Sequence, residues 1–239
     1  MKIQYCSDYE EMSQLCSDSL ITDLRENDER LICVATGNSP EGVYKNLVKG
    51  YVLEPQIYKG LSLVKLDEWG GIPMTELSSC ESFIKKKILH PLSITADRYI
   101  SFNSNPSNPE QECKRVQEEL DKKGPIDICI LGLGKNGHLG FNEPAKALNP
   151  YCHVAKLSKD SLEHQMTEYM KAKPSYGLTL GMADILQSRK IILLIAGSGK
   201  EKAISEFLSK KITPHLPASF LWLHPKVDCY IDESFMSRV

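Results

Sequence analysis

The sequence predicts an α/β protein, a three-layer, mostly parallel Rossmann-like sheet with helices on both faces. Short β-branched runs alternate with amphipathic stretches along most of the chain, the pattern of repeated βα units that build a parallel sheet. The runs LICVAT, IDICIL and IILLIAG are apolar throughout, as strands buried on both faces must be. At 239 residues, with no internal repeat, the chain has about 1.6 typical domain lengths. One domain spanning residues 1–239 is expected.

In chain order, an amphipathic helix is expected at 9–25, then the buried strand 31–36. Ser39 can cap the next helix and Pro40 can be its first residue, giving a helix at 40–52. The strand 61–66 ends at an acidic dipeptide, and a helix is expected at 80–90 before the strand 99–102. Residues 103–109 are rich in Asn, Ser and Pro and read as a surface loop leading to a helix at 109–122. The strand 126–131 runs into a glycine-rich turn, and a helix is expected at 158–170. Finally come the strands 191–196 and 229–231, with a helix at 199–208.

Composition removes several functions. Asp and Glu total 31 against 29 Lys and Arg, a net charge of -2, which offers no basic field for nucleic acid or a membrane surface. The longest apolar run, 191–196, is strand-sized, far short of the ~18 residues of a membrane span. The first residues carry acids early and lack an apolar core, so no secretory signal is expected. Eight cysteines are scattered with no Cys-x-x-Cys pair, which reads as reduced thiols in a cytoplasmic protein with no metal site.

Ligands of open α/β sheets bind at the carboxyl ends of the strands, so the residues after each strand matter most. Thr36-Gly37-Asn38-Ser39-Pro40 places a helix N-terminus behind a glycine turn, which suits an anion, notably phosphate; a capped helix with no ligand would look the same. Lys200 comes after Ser198-Gly199 in the first turn of its helix, where a cation opposes the macrodipole unless a phosphate is also there. The stretch is no Walker loop, because Leu194 stands where the first glycine belongs. Asp67 stands at a strand exit, a place for a general base or for an ordinary turn aspartate. Gly132-x-Gly134-x-x-Gly137 matches a dinucleotide fingerprint in letters, but residues 137–144 do not read as the helix that the fingerprint must open. Instead the turn carries His138, Glu143, Asn136 and Asn142 among four glycines between Gly132 and Gly140. A carboxylate near an imidazole fixes its tautomer and supports its charged form.

LDEW at 66–69, GLGKNGHLGFNEP at 132–144, TGNSP at 36–40 and GSGK at 197–200 resemble, in family order, the glucosamine-6-phosphate deaminase/isomerase family. Asn142-Glu143-Pro144 separates it from the related 6-phosphogluconolactonases, which share the glycine-rich turn. VKLDEW, GLGKNGHLG, LTLG and PASFLWLH are similar to the galactosamine-6-phosphate branch. The resemblance implies a reaction without cofactor or metal. A 2-amino-2-deoxyhexose 6-phosphate and water give a ketohexose 6-phosphate and ammonia, with galactosamine 6-phosphate going to tagatose 6-phosphate. It makes His138 the ring-opening group, Glu143 its orienting partner and Asp67 the base at C2, with Asn136 beside them. Thr36, Gly37, Asn38, Ser39 and Lys200 would hold the phosphate, and Gly137 and His164 are further candidates for touching substrate.

This chain departs from the family pattern in three places. Asn136 replaces an aspartate, His164 is the nearest counterpart of a phosphate-binding arginine, and His153 and Ala155 replace basic residues that hold an allosteric sugar phosphate. A monomer or small homo-oligomer is expected. The alternatives are glucosamine 6-phosphate as substrate, a lactonase-like hydrolase, and a non-catalytic sugar-phosphate sensor.

Overall fold

The computed structural model describes residues 1–162, 165–168 and 170–235. Its first half runs β1 (Lys2–Cys6), α1 (Tyr9–Glu26), β2 (Leu31–Val34), α2 (Asn38–Leu53), β3 (Ser62–Lys65), β4 (Asp67–Gly70), α3 (Cys80–Ile84), β5 (Tyr99–Ile100) and α4 (Pro109–Lys123). The second half runs β6 (Ile128–Gly132), β7 (His153–Ala155), α5 (Lys159–Leu162), α6 (Gln165–Glu168), β8 (Tyr176–Thr179), α7 (Met182–Leu186), β9 (Lys190–Ile195), α8 (Glu201–Leu208) and β10 (Val227–Asp232).

Seven strands form one sheet in the order β1-β10-β9-β6-β2-β3-β5, and every pairing is parallel. From β2 the chain moves outward through β3 to β5, then returns to lay β6 on the other side of β2 and proceeds to β9 and β10. The progression reverses between β2 and β6, and the crevice at their carboxyl ends is where such sheets hold ligands.

Side-chain alternation makes the three layers. Ile32, Val34, Ile128, Ile130, Ile192 and Leu194 pack with the buried residues of α1, α2 and α3. Their neighbours Leu31, Cys33, Cys129, Leu131, Ile191 and Leu193 pack with α4, α7 and α8. All six residues of β9 are buried, the reason this stretch is apolar without a period.

Local chemistry sets the helix starts. Asp8 caps α1 through Glu11 N at 2.8 Å, and Asn108 caps α4 through Gln111 N at 2.9 Å, with Pro109 next.

The structure differs from the sequence reading in several places. Helix α2 begins at Asn38 rather than Pro40, and its cap is Gly37 rather than Ser39. Gly37 adopts φ 99°, a left-handed turn that tips the chain from β2 straight into the helix. The helix expected at 80–90 changes to a π-helical turn over Lys85–Leu89. The expected helix at 158–170 contains the short α5 and α6, while residues 163, 164 and 169 lie outside the described residues. The edge strand β1 and a second, antiparallel sheet of order β4-β8-β7 were not anticipated. That small sheet starts one residue after β3: Leu66 N donates to Val34 O at 3.1 Å and Leu66 O accepts from Leu180 N at 2.9 Å, so Leu66 is the corner between the sheets.

Candidate active site

A cavity of about 840 Å³ opens at the carboxyl ends of β2, β3, β6 and β9. Thr36, Gly37, Asn38, Ser39, Asp67, His138 and Lys200 all line it, so seven of the residues singled out from sequence meet in one place.

The start of α2 forms one wall of the cavity. Gly37 supplies no side-chain cap, so the positive end of the helix faces the cavity. The Tyr9 hydroxyl braces this turn, donating to Asn38 O at 2.5 Å and accepting from Gly42 N at 2.7 Å. Lys200 is the cap residue of α8, and its ammonium donates to Ser39 Oγ at 3.5 Å. Burial, and then the charge of Lys135, push Lys200 down to about 8.

Asp67 opens β4 opposite Thr179. It is 8% exposed, and its Oδ1 is buried with no hydrogen-bond partner among the described residues. Burial and the neighbouring Glu68 push Asp67 up to about 7, with His138, Lys65 and a bond from the Cys80 thiol pulling the other way. A carboxylate poised near neutrality with an unused oxygen is suited to take and return a proton.

Glu68, next in sequence, has a different task. Its Oε2 accepts from Lys65 Nζ at 2.7 Å and Glu81 N at 2.8 Å, while Oε1 accepts from Trp69 N at 2.8 Å and Cys80 N at 3.0 Å. Lys65 also reaches Glu81 Oε2 at 2.7 Å and Phe102 O at 3.1 Å. This ion cluster is sealed from water, Lys65 and Glu68 being 0% exposed, and it fastens β3, β4 and the start of α3 together.

His138 is held from behind. Its Nδ1 lies 2.8 Å from Asn136 Oδ1, which can only accept, so Nδ1 carries the proton and Nε2 is left to accept. Asn136 Nδ2 donates to Glu143 Oε2 at 3.0 Å, and that oxygen lies 3.4 Å from His138 Nδ1. Glu143 Oε1 accepts from Ser158 Oγ at 2.9 Å and from the Ser161 hydroxyl. Burial alone would raise the Glu143 carboxyl, but the bonds from His138, Ser161 and Asn136 and the imidazole charge bring it to about 2. The imidazole lies against Gly134, where a Cβ would come within 2.5 Å of its Cδ2 and Nε2. Asn142 fastens the turn to the small sheet by donating to Leu139 O and Leu180 O, both at 2.9 Å.

Asn136 and Glu143 thus stand behind the wall of the cavity rather than on it. Gly137 does too: its carbonyl accepts from Ala218 N at 3.0 Å, and a Cβ there would strike Leu216. His164 lies outside the described residues.

Sequence reasoning passed over Lys135, Ser161 and Tyr9, all on the cavity wall. It also missed Trp69 and Phe141, whose rings pack at 4.6 Å beside it. Only Lys135 carried a signal, as a lysine inside the glycine turn. Among the described residues no three His, Cys, Asp or Glu side chains gather as a metal cage, and no helix is long and apolar enough to cross a membrane.

The model of glucosamine-6-phosphate isomerases/6-phosphogluconolactonase matches residues 8–229. A provisionally named deaminase, AgaI, of Escherichia coli (strain K12) is 40% identical over 96% of this chain and 91% of its own length. Glucosamine-6-phosphate deaminase 1 of Bacillus subtilis (strain 168) is 31% identical over 99% of each chain. Among solved structures, a monomeric glucosamine-6-phosphate deaminase superposes with a TM-score of 0.93 at 32% identity, covering 99% of both chains. A 6-phosphogluconolactonase from Trypanosoma cruzi shares the fold, with a TM-score of 0.79 at 17% identity over 100% of this chain and 96% of its own.

Proposed function

This chain belongs to the family of glucosamine-6-phosphate isomerases and 6-phosphogluconolactonases, and from that premise we propose that it is an aminosugar-6-phosphate deaminase/isomerase acting on galactosamine 6-phosphate. One observation carries the reading. An unpartnered, buried Asp67 oxygen and the His138 imidazole face the same cavity as an uncapped helix N-terminus with Lys200 beside it. A base, a proton shuttle and a phosphate grip are what the reaction needs.

The phosphate rests on the first turn of α2 and Lys200, holding the sugar across the cavity. His138, with Nδ1 tied to Asn136, takes the anomeric hydroxyl proton on Nε2 and delivers it to the ring oxygen, so the C1–O5 bond breaks and the aldehyde forms. Glu143, ionised, stabilises the imidazolium formed in passing. Asp67 then removes the C2 proton while a proton of the substrate ammonium passes to O1, giving an enolamine, and returns the C2 proton to C1, leaving a protonated ketimine at C2. Water adds to the ketimine carbon and ammonia leaves, giving the ketose. The ring opening and the isomerisation are driven by proton transfers between groups already positioned.

The choice of the galacto epimer rests on the resemblance of VKLDEW and PASFLWLH to that branch. Relatives named glucosamine-6-phosphate deaminases favour the gluco epimer as the second reading. Ammonia release from the two aminosugar phosphates, measured side by side, decides between them. The galacto reading expects the higher kcat/KM with galactosamine 6-phosphate. The reverse ratio assigns the enzyme to glucosamine 6-phosphate, and hydrolysis of 6-phosphogluconolactone without ammonia from either sugar overturns the deaminase reading.

A further inference from the structure

Two ammonium groups share one wall of the cavity. Lys200 stands at the exit of β9, and Lys135 stands in the turn after β6, between Gly134 and Asn136. The Lys135 side chain runs along the turn before α8. A Cβ on Gly199 would meet its Cε at 3.7 Å and its Nζ at 4.0 Å. Gly197 and Gly199 take φ 83° and 80°, and a Cβ at Gly197 would meet nothing within 4 Å, so this backbone borders open space.

Surface lysines ordinarily sit near carboxylates or in bulk water. Here Lys135 is exposed on the cavity lining and Lys200 is half-buried; neither has a carboxylate within ion-pair distance among the described residues, and the Ser39 hydroxyl is a polar partner of Lys200. Like charges held together in a cavity repel. The arrangement becomes favourable when a doubly charged anion enters between them, at the positive end of α2.

We propose that Lys135 is a second cation for the substrate phosphate, gripping the dianion together with Lys200 and the start of α2 and so selecting phosphorylated sugars over neutral ones. This rests on the aminosugar-phosphate reading of the same cavity. It adds a consequence: Lys135 is the residue before Asn136, which holds His138. Phosphate binding thereby steadies the turn that carries the ring-opening imidazole, a use of remote binding energy at the reacting centre.

The test measures inorganic phosphate binding to the substrate-free protein by calorimetry, for wild type, Lys135→Gln and Lys135→Arg. KM and kcat for the aminosugar phosphate are measured in parallel. The expectation is at least a fivefold weaker phosphate affinity in Lys135→Gln with an unchanged melting temperature, near-complete rescue in Lys135→Arg, and a KM raised by the same factor while kcat falls less. Phosphate affinity unaltered by Lys135→Gln overturns the assignment while leaving the deaminase reading in place. Weakening in the glutamine variant without rescue by arginine also overturns it, since a cation would then not be the feature at work. If the wild-type protein binds phosphate and Lys135 matters but no ammonia is released, the grip stands and the deaminase reading falls.

Discussion

Asp67 is buried on the cavity wall and Glu143 half-buried behind it, and their surroundings drive the two carboxylates apart. Asp67 has an oxygen with no hydrogen-bond partner among the described residues and an acidic neighbour, and sits near 7. Glu143 collects donors from Asn136, Ser158 and Ser161, faces an imidazole, and sits near 2. Burial raises both; the count of donors decides the sign. A carboxylate starved of donors can exchange a proton near neutrality, whereas one saturated with them stays charged and acts as a fixed counter-ion. The first is suited to chemistry at carbon and the second to orienting a histidine.

Asp67→Asn tests the contrast hardest. Turnover and washout of the substrate C2 proton into deuterium oxide should fall by about 10³-fold or more, while the product-like phosphate still binds. Normal C2 exchange in this variant would remove Asp67 as the base. The same change should stabilise the fold. A carboxyl lifted from 3.8 to about 7 contributes stability that is complete below about pH 4 and is lost as pH rises through 7, roughly 4 kcal/mol by linkage. At pH 8 the asparagine variant should melt higher than wild type, and at pH 4 the difference should vanish.

Glu143→Gln is the mirror image. With the counter-charge gone, kcat should drop about 100-fold. The carboxyl lowered from 4.5 to about 2 contributes stability present above pH 4.5 and lost as pH falls through 2, about 3 kcal/mol. The variant should therefore melt lower than wild type at pH 7 and converge with it in acid. Equal melting temperatures at pH 7 would contradict the donor count.

The pH profile probes both ends of the cavity at once. Asp67 must be ionised, so kcat/KM should rise through about pH 7. Lys200 must be charged to hold phosphate, so kcat/KM should fall above about pH 8. In Lys135→Gln the alkaline limb should move to higher pH, because a positive neighbour has been removed. A limb that stays in place would show that the two lysines do not feel each other.

Ser161→Ala has the smallest effect expected. Ser158 still donates to the same Glu143 oxygen, so the loss in kcat should be a few-fold, within the range of one hydrogen bond to a charge. A 100-fold loss would instead mean that the Ser161 hydroxyl touches substrate.

The difference between these carboxylates could not be read along the chain. Glu143 and His138 share one glycine-rich turn, and that proximity suggested their partnership. The serine donors of Glu143, Ser158 just before α5 and Ser161 within it, come from a stretch that sequence periodicity reads as one long helix. Asp67 was visible at a strand exit, but the second sheet that receives it was not. DEWG has an acid pair and a glycine where a strand signal would need apolar alternation. Its strand character comes from pairing with Tyr176–Thr179, more than a hundred residues later. The seven-stranded sheet was legible because burial on both faces leaves an uninterrupted apolar run. Its edge strand β1 was not, because only its last residue, Cys6, is fully buried. Lys65 fell inside a correctly expected strand, yet nothing local announces that a lysine will be sealed between two glutamates.

Leu66, the single residue between β3 and β4, has a consequence for how such a protein can diverge. In the function proposed above, the phosphate grip is built on the large sheet, from the ends of β2 and β9, and the C2 base stands on the small one. The corner at Leu66 is fixed by backbone bonds to Val34 on one side and Leu180 on the other, with its side chain buried in the core. Recognition of the handle and chemistry at the far end of the sugar are thereby carried by separable modules. Drift in the small sheet and its flanking turns can retune which sugar is processed while the anchor stays untouched.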